Sequence, residues 1–268
     1  MRTPPSRRRL LPRAAAAAVA LAVVVLAGAE VVGGAPAEST SAPAPVLQPD
    51  PLIPAVVPDA ERPLLVVPAD EPVRERVVLA LHGYTAGPEQ LRRDLDADEW
   101  AQELDATVVY PTGLGRRTSW NAGGCCGSAA RSGVDDVGFL ARTLTRLRAE
   151  GASQVAVVGY SNGGMLAYRL ACERPELVDA VAVVNATITT STCDGAFEAL
   201  HLHGELDRSV PVQGADVVPH LFTGFRPLVD LPDVAPHADL DVRLLPGVGH
   251  EIAPEVHGIV TTWLRTHL

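Results

Sequence analysis

One stretch, Gln154–Met165, limits what this chain can fold into more than any other. Val155-Ala156-Val157-Val158 is a short apolar run of strand type, Gly159-Tyr160-Ser161-Asn162-Gly163-Gly164 follows, and Met165 to Ala171 reads as a helix. A chain that passes from strand to helix in so few residues must turn sharply, and the turn strains the backbone of the serine. Glycine at positions 159 and 163 removes the side chains that would strike the neighbouring element. Such a turn lifts the Ser161 hydroxyl above the sheet and aims the unpaired N–H groups of the following helix at whatever stands there. The plainer alternative is a Gly-rich βα turn with an inert serine.

Length and composition fit one sizeable core. The chain has 268 residues, 47% of them hydrophobic, and single cores grow to ~250 residues. No lysine occurs and all 22 basic residues are arginine, which excludes a phosphate-binding P-loop lysine, Schiff-base chemistry and a Ser-Lys pair. The net charge of −10 argues against a nucleic-acid partner, because a backbone binder needs a basic face.

Residues 1–37 read as an export signal. Arg2, Arg7, Arg8, Arg9 and Arg13 precede an apolar run, Ala14–Ala27, that is too short to span a bilayer comfortably. Ser6-Arg7-Arg8-Arg9-Leu10-Leu11 has the form of a twin-arginine signal, and an uncleaved N-terminal anchor is the structural alternative. Residues 38–63 hold Pro43, Pro45, Pro49, Pro51, Pro54 and Pro58 and read as an extended linker that could space a fold from the cell envelope. The protein is therefore expected outside the cytoplasm. Its four cysteines, Cys125, Cys126, Cys172 and Cys193, then point to disulfides. Neighbours in sequence pair only under strain, so Cys125 and Cys126 are each expected to reach elsewhere. The alternative for Cys172 is a buried thiol.

From Leu64 onward, strands and helices alternate. Strands are expected at Leu64–Val67, Val77–Leu81, Thr107–Tyr110, Val155–Val158, Ala180–Val184, Leu200–His203 and Leu240–Leu245. Helices are expected at Gly87–Glu103, Val134–Glu150, after Ser161 and from Ile252 to Leu268, with a long Gly-rich loop from Pro111 to Gly133. The pattern predicts an α/β protein: one domain, 64–268, with a doubly wound, mostly parallel sheet.

A serine hydroxyl is a poor nucleophile until a base takes its proton, and the base needs a third group to fix its tautomer. In the α/β-hydrolase fold the chain order is serine, acid, histidine. After Ser161, two strand ends supply candidates: His203-Gly204-Glu205-Leu206-Asp207 and Leu245-Pro246-Gly247-Val248-Gly249-His250. Asp207 is the expected acid, with Glu205 its rival, and His250 the expected base. The Asn162 N–H and the Tyr84 N–H, with Thr85 next, are the expected oxyanion donors, and His82 should brace their loop. Histidines 201 and 203 alternate on a strand, where packing or hydrogen bonding outweighs a zinc set with Glu205 and Asp207. Asp135 and Asp136 should cap a helix. No cofactor or metal is called for.

Four pieces carry a resemblance: Leu81-His82-Gly83-Tyr84-Thr85; Ser119-Trp120-Asn121…Cys125-Cys126-Gly127 with Val134-Asp135-Asp136; Gly159 to Met165; and His203-Gly204 with Asp207, Val210 and Pro211. In these the chain resembles the secreted esterases grouped as poly(3-hydroxybutyrate) depolymerases and feruloyl or acetylxylan esterases, from about Leu64 to Leu268. The resemblance implies a serine carboxylesterase acting on small or polymeric esters through an acyl-enzyme, with Ser161, Asp207 and His250 as its catalytic set. It would wall the substrate pocket with Trp120 and the Cys125-Cys126 loop; core packing is the alternative for Trp120. Such enzymes often carry a Trp just past the histidine, where Glu251-Ile252 stands here. An acyltransferase of the same fold and a non-catalytic envelope binding protein are the rival readings.

Overall fold

A computed structural model describes residues 62–68, 71–215 and 225–268. The expected export signal, and all of the expected linker before Arg62, lie outside them. Seven strands form one sheet: β1 Leu64–Val67, β2 Arg76–Leu81, β3 Ala106–Pro111, β4 Gln154–Tyr160, β5 Ala180–Val184, β6 Glu198–Gly204 and β7 Asp239–Leu245. Their order is β1-β3-β2-β4-β5-β6-β7. Only β1 runs antiparallel, against β3; every other pair is parallel.

The helices are α1 Pro88–Leu95, α2 Trp100–Glu103, α3 Gly127–Arg131, α4 Asp136–Ala149, α5 Asn162–Glu173, α6 Leu231–Val234 and α7 Val256–His267. They cover both faces, as a sheet of near-continuous apolar strands requires. Val77, Leu79, Leu81, Val155 and Val157 face α4 and α5 through Leu140, Leu144 and Leu166. The alternate residues Val78, Ala80, Ala156 and Val158 face α1 and α7 through Leu91, Leu95, Val260 and Leu264. The doubly wound sheet is the one the alternation predicts. From β2 the chain steps to β3 on one side and returns to β4 on the other. The carboxyl ends of β2 and β4 thus flank the point where winding reverses, the usual place for a ligand crevice.

Four expectations need correction. The segment 87–103 is not one helix: Asp96 adopts the left-handed region (φ 46°) and splits it into α1, a 3₁₀ turn at Ala97–Glu99 and α2. The break is held from the side, where Arg92 grips Asp98 and the Tyr110 hydroxyl donates to Asp98 at 2.7 Å. The loop 111–133 contains α3. Asp135 and Asp136 do not share a capping task. Asp135 caps α4 through the Gly138 N–H (2.9 Å), whereas Asp136 is buried, 2.6 Å from Arg62 and 2.6 Å from the Asn121 N–H. Arg62 itself is buried with its guanidinium 3.8 Å above the Phe139 ring. The packed body therefore begins by Arg62, inside the expected linker, because composition cannot reveal an arginine with a buried partner.

The cysteines pair differently from expectation as well. Cys125 and Cys126 are joined to each other across a cis peptide, and Cys172 of α5 is joined to Cys193. Backbone hydrogen bonds hold the first pair on both sides: Cys125 accepts from the Ala122 N–H, and the Cys126 N–H donates to Trp120. That pinning, made by residues up to six positions upstream, turns the two side chains onto each other.

Candidate active site

Ser161 sits between β4 and α5 at φ 52°, ψ −121°, a backbone region that costs a non-glycine residue ~1–3 kcal/mol and persists only where its surroundings impose it. The surroundings are tight. A Cβ on Gly159 would lie 2.5 Å from the Gly163 carbonyl oxygen, and one on Gly163 would lie 2.1 Å from that of Leu81. The Ser161 N–H donates to Val184 on β5 (2.9 Å), and its carbonyl receives Met165 (3.0 Å). The serine is thus fixed from both sides while its hydroxyl faces the crevice.

Two loops converge on that hydroxyl. From β7, His250 places Nε2 2.9 Å from Ser161 Oγ. From β6, Asp207 places Oδ2 2.7 Å from His250 Nδ1. The Asp207 carboxylate also accepts the N–H groups of Ser209 (2.8 Å) and Val210 (2.9 Å) through Oδ1. Burial alone would push this carboxyl up. Hydrogen bonds from His203, His250 and Val210 outweigh burial and hold it well below the usual carboxylate range. Glu205, the rival acid, is exposed, and it is Asp207 whose carboxylate meets His250. The two loops are locked by Asn185, which accepts from the Gly204 N–H (2.7 Å) and donates to the carbonyls of Gly249 (3.3 Å) and Glu251 (2.8 Å). Nothing in the sequence pattern marks Asn185; only its φ of 50°, known once the fold is, sets it apart.

On the other side of the serine, the loop after β2 comes so close that a Cβ on Gly83 would lie 3.4 Å from Ser161 Cβ. Thr85 donates its N–H to Thr118 (2.8 Å) and is spent. The N–H groups of Tyr84 and Asn162 make no hydrogen bond among the described residues. His82 braces this loop: Nδ1–H donates to Gly83 (2.8 Å) and Nε2 accepts from the Gly113 N–H (2.9 Å). Burial lowers its pKa to about 4, against the smaller opposing pull of that Gly83 contact, so the ring is neutral.

Trp120 is not a pocket wall. It is fully buried, its Nε1–H donates to the His82 carbonyl (2.9 Å), and its backbone is zipped to the Asn162 amide by two hydrogen bonds of 2.8 and 3.1 Å. An indole N–H inside a core must find an acceptor, and the one in reach belongs to the loop it steadies. The cavity beside Ser161, 240 Å³, is lined by Tyr84, Cys126, Tyr160, Met165, Val210 and Phe225, together with Ser209 and His250. Of the two cysteines expected there, Cys126 contributes. His201 and His203 do not assemble a zinc set, since their ring nitrogens are taken by each other, by Tyr168 and by Val210.

The arrangement joins a strained serine, a histidine bridge, a buried carboxylate and two free N–H groups at the reversal point of a doubly wound sheet. This is the α/β-hydrolase fold.

Solved α/β-hydrolases agree with it. The chain is similar to esterase PE8 (TM-score 0.56, 21% identity, 77% of this chain and 98% of that one). It is similar to the Bacillus cereus carboxylesterase (0.57, 15%, 78% and 96%) and to a carboxylesterase from Mesorhizobium loti (0.53, 20%, 81% and 99%). At these identities the likeness is one of fold. Among curated proteins the chain is 26% identical over 152 residues to "Putative esterase NocK" of Nocardia uniformis subsp. tsuyamanensis, which covers 53% of this chain. The match spans 43% of that protein, less than half its length. No family model matches the chain.

Proposed function

We propose that this α/β-hydrolase is a serine carboxylesterase. The observation that carries the reading is the unbroken hydrogen-bond chain Ser161–His250–Asp207, 2.9 and 2.7 Å long. In it His250 Nε2 takes the Ser161 proton as Oγ attacks an ester carbonyl. The N–H groups of Tyr84 and Asn162 receive the oxyanion, and Asp207 stabilises the imidazolium. His250 then returns the proton to the leaving alcohol. A water, deprotonated by the same nitrogen, hydrolyses the acyl-enzyme.

The lining of the cavity favours a short, uncharged acyl group. Met165, Val210 and Phe225 offer apolar contact, and among the described residues no carboxylate or guanidinium lines the space. The two disulfides support an oxidising, extracytoplasmic setting, in keeping with the arginine-led signal.

Ser161→Ala should lower p-nitrophenyl acetate hydrolysis by ~10³-fold or more and abolish labelling by a fluorophosphonate. Undiminished turnover in that variant removes the assignment, and a wild-type protein that resists the label reads as a binding module instead. Added alcohol acceptor, with products counted against water, separates hydrolysis from acyl transfer.

A further inference from the structure

Ser161, His250 and Asp207 form one end of a longer buried run of polar groups. Behind Asp207, His201 and His203 stand two residues apart on β6 and so point to the same face of the sheet, with ring centroids 5.3 Å apart. Both are fully buried, as is Tyr168 of α5. Polar groups in such a place are costly unless bonded, and these are bonded in series. Tyr168 Oη lies 2.7 Å from His201 Nδ1, and His201 Nε2 lies 3.0 Å from His203 Nδ1. His203 Nε2 lies 2.7 Å from the Val210 carbonyl oxygen and 3.4 Å from Asp207 Oδ2.

The end of the series sets the direction of the donors along it. A carbonyl only accepts, so His203 Nε2 carries a hydrogen. With a single ring hydrogen, placed on Nε2, His203 has a bare Nδ1 that accepts from His201 Nε2–H. The bare His201 Nδ1 in turn accepts the Tyr168 hydroxyl. Burial above all lowers the His201 pKa to about 3, so this ring is neutral near neutral pH and carries a single hydrogen. All three donors therefore point the same way, toward Asp207. Val210 completes the circuit, because the residue whose carbonyl is held by His203 also donates its N–H to Asp207 Oδ1 (2.9 Å).

We propose that His203 is a positioning residue for the Ser161 site. It grips Val210 and so holds the turn that presents Asp207 to His250, with His201 and Tyr168 setting its tautomer from behind. The inference rests on the esterase reading above. Loss of the His203 N–H would leave the Val210 carbonyl unpaired and the Asp207 charge less compensated. Either change favours a proton on the His250–Asp207 pair, so the acid limb of turnover should move to higher pH. The other groups that bear on this pair are Tyr160, whose ring lies 5.4 Å from His250, and, acting on Tyr160, Asp94 and Glu251. On the buried side Tyr168 and His201 face His203.

The test compares His203→Leu, His203→Gln, His201→Leu and Tyr168→Phe with the wild-type protein on p-nitrophenyl acetate. His203→Leu should lower kcat about 10- to 100-fold with KM within about threefold, and raise the acid limb of kcat/KM by about 0.5 on the pH scale. His203→Gln, whose amide N–H can take the Nε2 place, should restore kcat to within about threefold of wild type. The loss should fade with distance, to about 3- to 10-fold for His201→Leu and under about threefold for Tyr168→Phe. A folded His203→Leu with wild-type kcat and an unmoved acid limb overturns the proposal. So does a glutamine variant as impaired as the leucine one. If His203→Leu does not fold, His201→Leu decides: an unmoved limb there is equally fatal. Fluorophosphonate labelling of the wild type is run alongside. An unlabelled wild type sinks the esterase reading itself, whereas a labelled wild type with insensitive variants sinks only the role of His203.

Discussion

The loops that meet at Ser161 from its two sides are held by different means. The loop after β2 is steadied by neutral groups that bond to backbone: His82 to Gly83 and Gly113, Trp120 to His82, Asn162 to Trp120. The loops after β6 and β7 are steadied by a run that ends on a charge, from Tyr168 through His201 and His203 to Asp207 and His250. Each side contains a buried neutral histidine, yet only one of them is connected to an ionised group. The first side sets where donors stand. The second sets where donors stand and also how protons are shared.

The largest effect should come from cutting the charged side at its end. Asp207→Asn keeps the size of the side chain but offers His250 Nδ1 an amide in place of a carboxylate. A fall in kcat of ~10⁴-fold is expected, the loss typical when the orienting carboxylate of such a set is removed. Steady-state kinetics on p-nitrophenyl acetate reads it. A loss below tenfold would mean that the charge on this side matters no more than geometry, and the contrast between the loops would fail.

A smaller effect is expected from the neutral side. Trp120→Phe fills the same space but removes the N–H that holds the His82 carbonyl. One buried hydrogen bond is worth ~1 kcal/mol and an orphaned acceptor ~1–3 kcal/mol, so kcat should fall by ~10-fold while the acid limb of the pH profile stays in place. A moved limb would show that the two sides are electrostatically joined.

Much of this was legible in the sequence wherever the cause is local. The turn at Ser161 is written in glycines because every contact that demands them, Leu81, Gly163 and Gly164 among them, lies at the crossing of β2, β4 and α5. Asp207 and His250 follow from strand ends, since loops at the carboxyl ends of parallel strands gather around the crevice. What stayed hidden depends on contacts between distant segments. Trp120 reads equally well as pocket or core until its indole is seen on His82, 38 residues away. Asn185 ties loops 64 and 66 residues further on. Arg62 lies in a Pro-rich stretch whose composition hides a partner at Asp136. The pairing of Cys125 with Cys126 rests on backbone bonds to Trp120 and Ala122, which no spacing rule contains. Glycine patterns report local sterics; partners for buried polar groups are chosen by the whole fold.

The smallest effect compares the two buried histidines directly. In the unfolded chain both rings titrate near ~6.5, whereas burial takes His82 to about 4 and His201 to about 3 in the folded protein. A depressed folded pKa means that the unfolded state binds more protons between the two values. The stability that each ring contributes is full above ~6.5 and is lost as pH falls toward its folded value. Each should add a slope of up to ~1.4 kcal/mol per pH unit to the decline between about pH 6 and 4. Urea titrations at several pH values should find that slope reduced by similar amounts in His82→Gln and His201→Gln, because both remove one buried titrating ring. The activity profiles should then part. His82 touches only backbone, so His82→Gln can lower kcat without moving the acid limb. His201 supports the donor that faces Asp207, so any defect its glutamine variant causes should carry the limb upward. Equal behaviour of the two variants in both measurements would erase the distinction between a loop held by neutral groups and loops held through a charge.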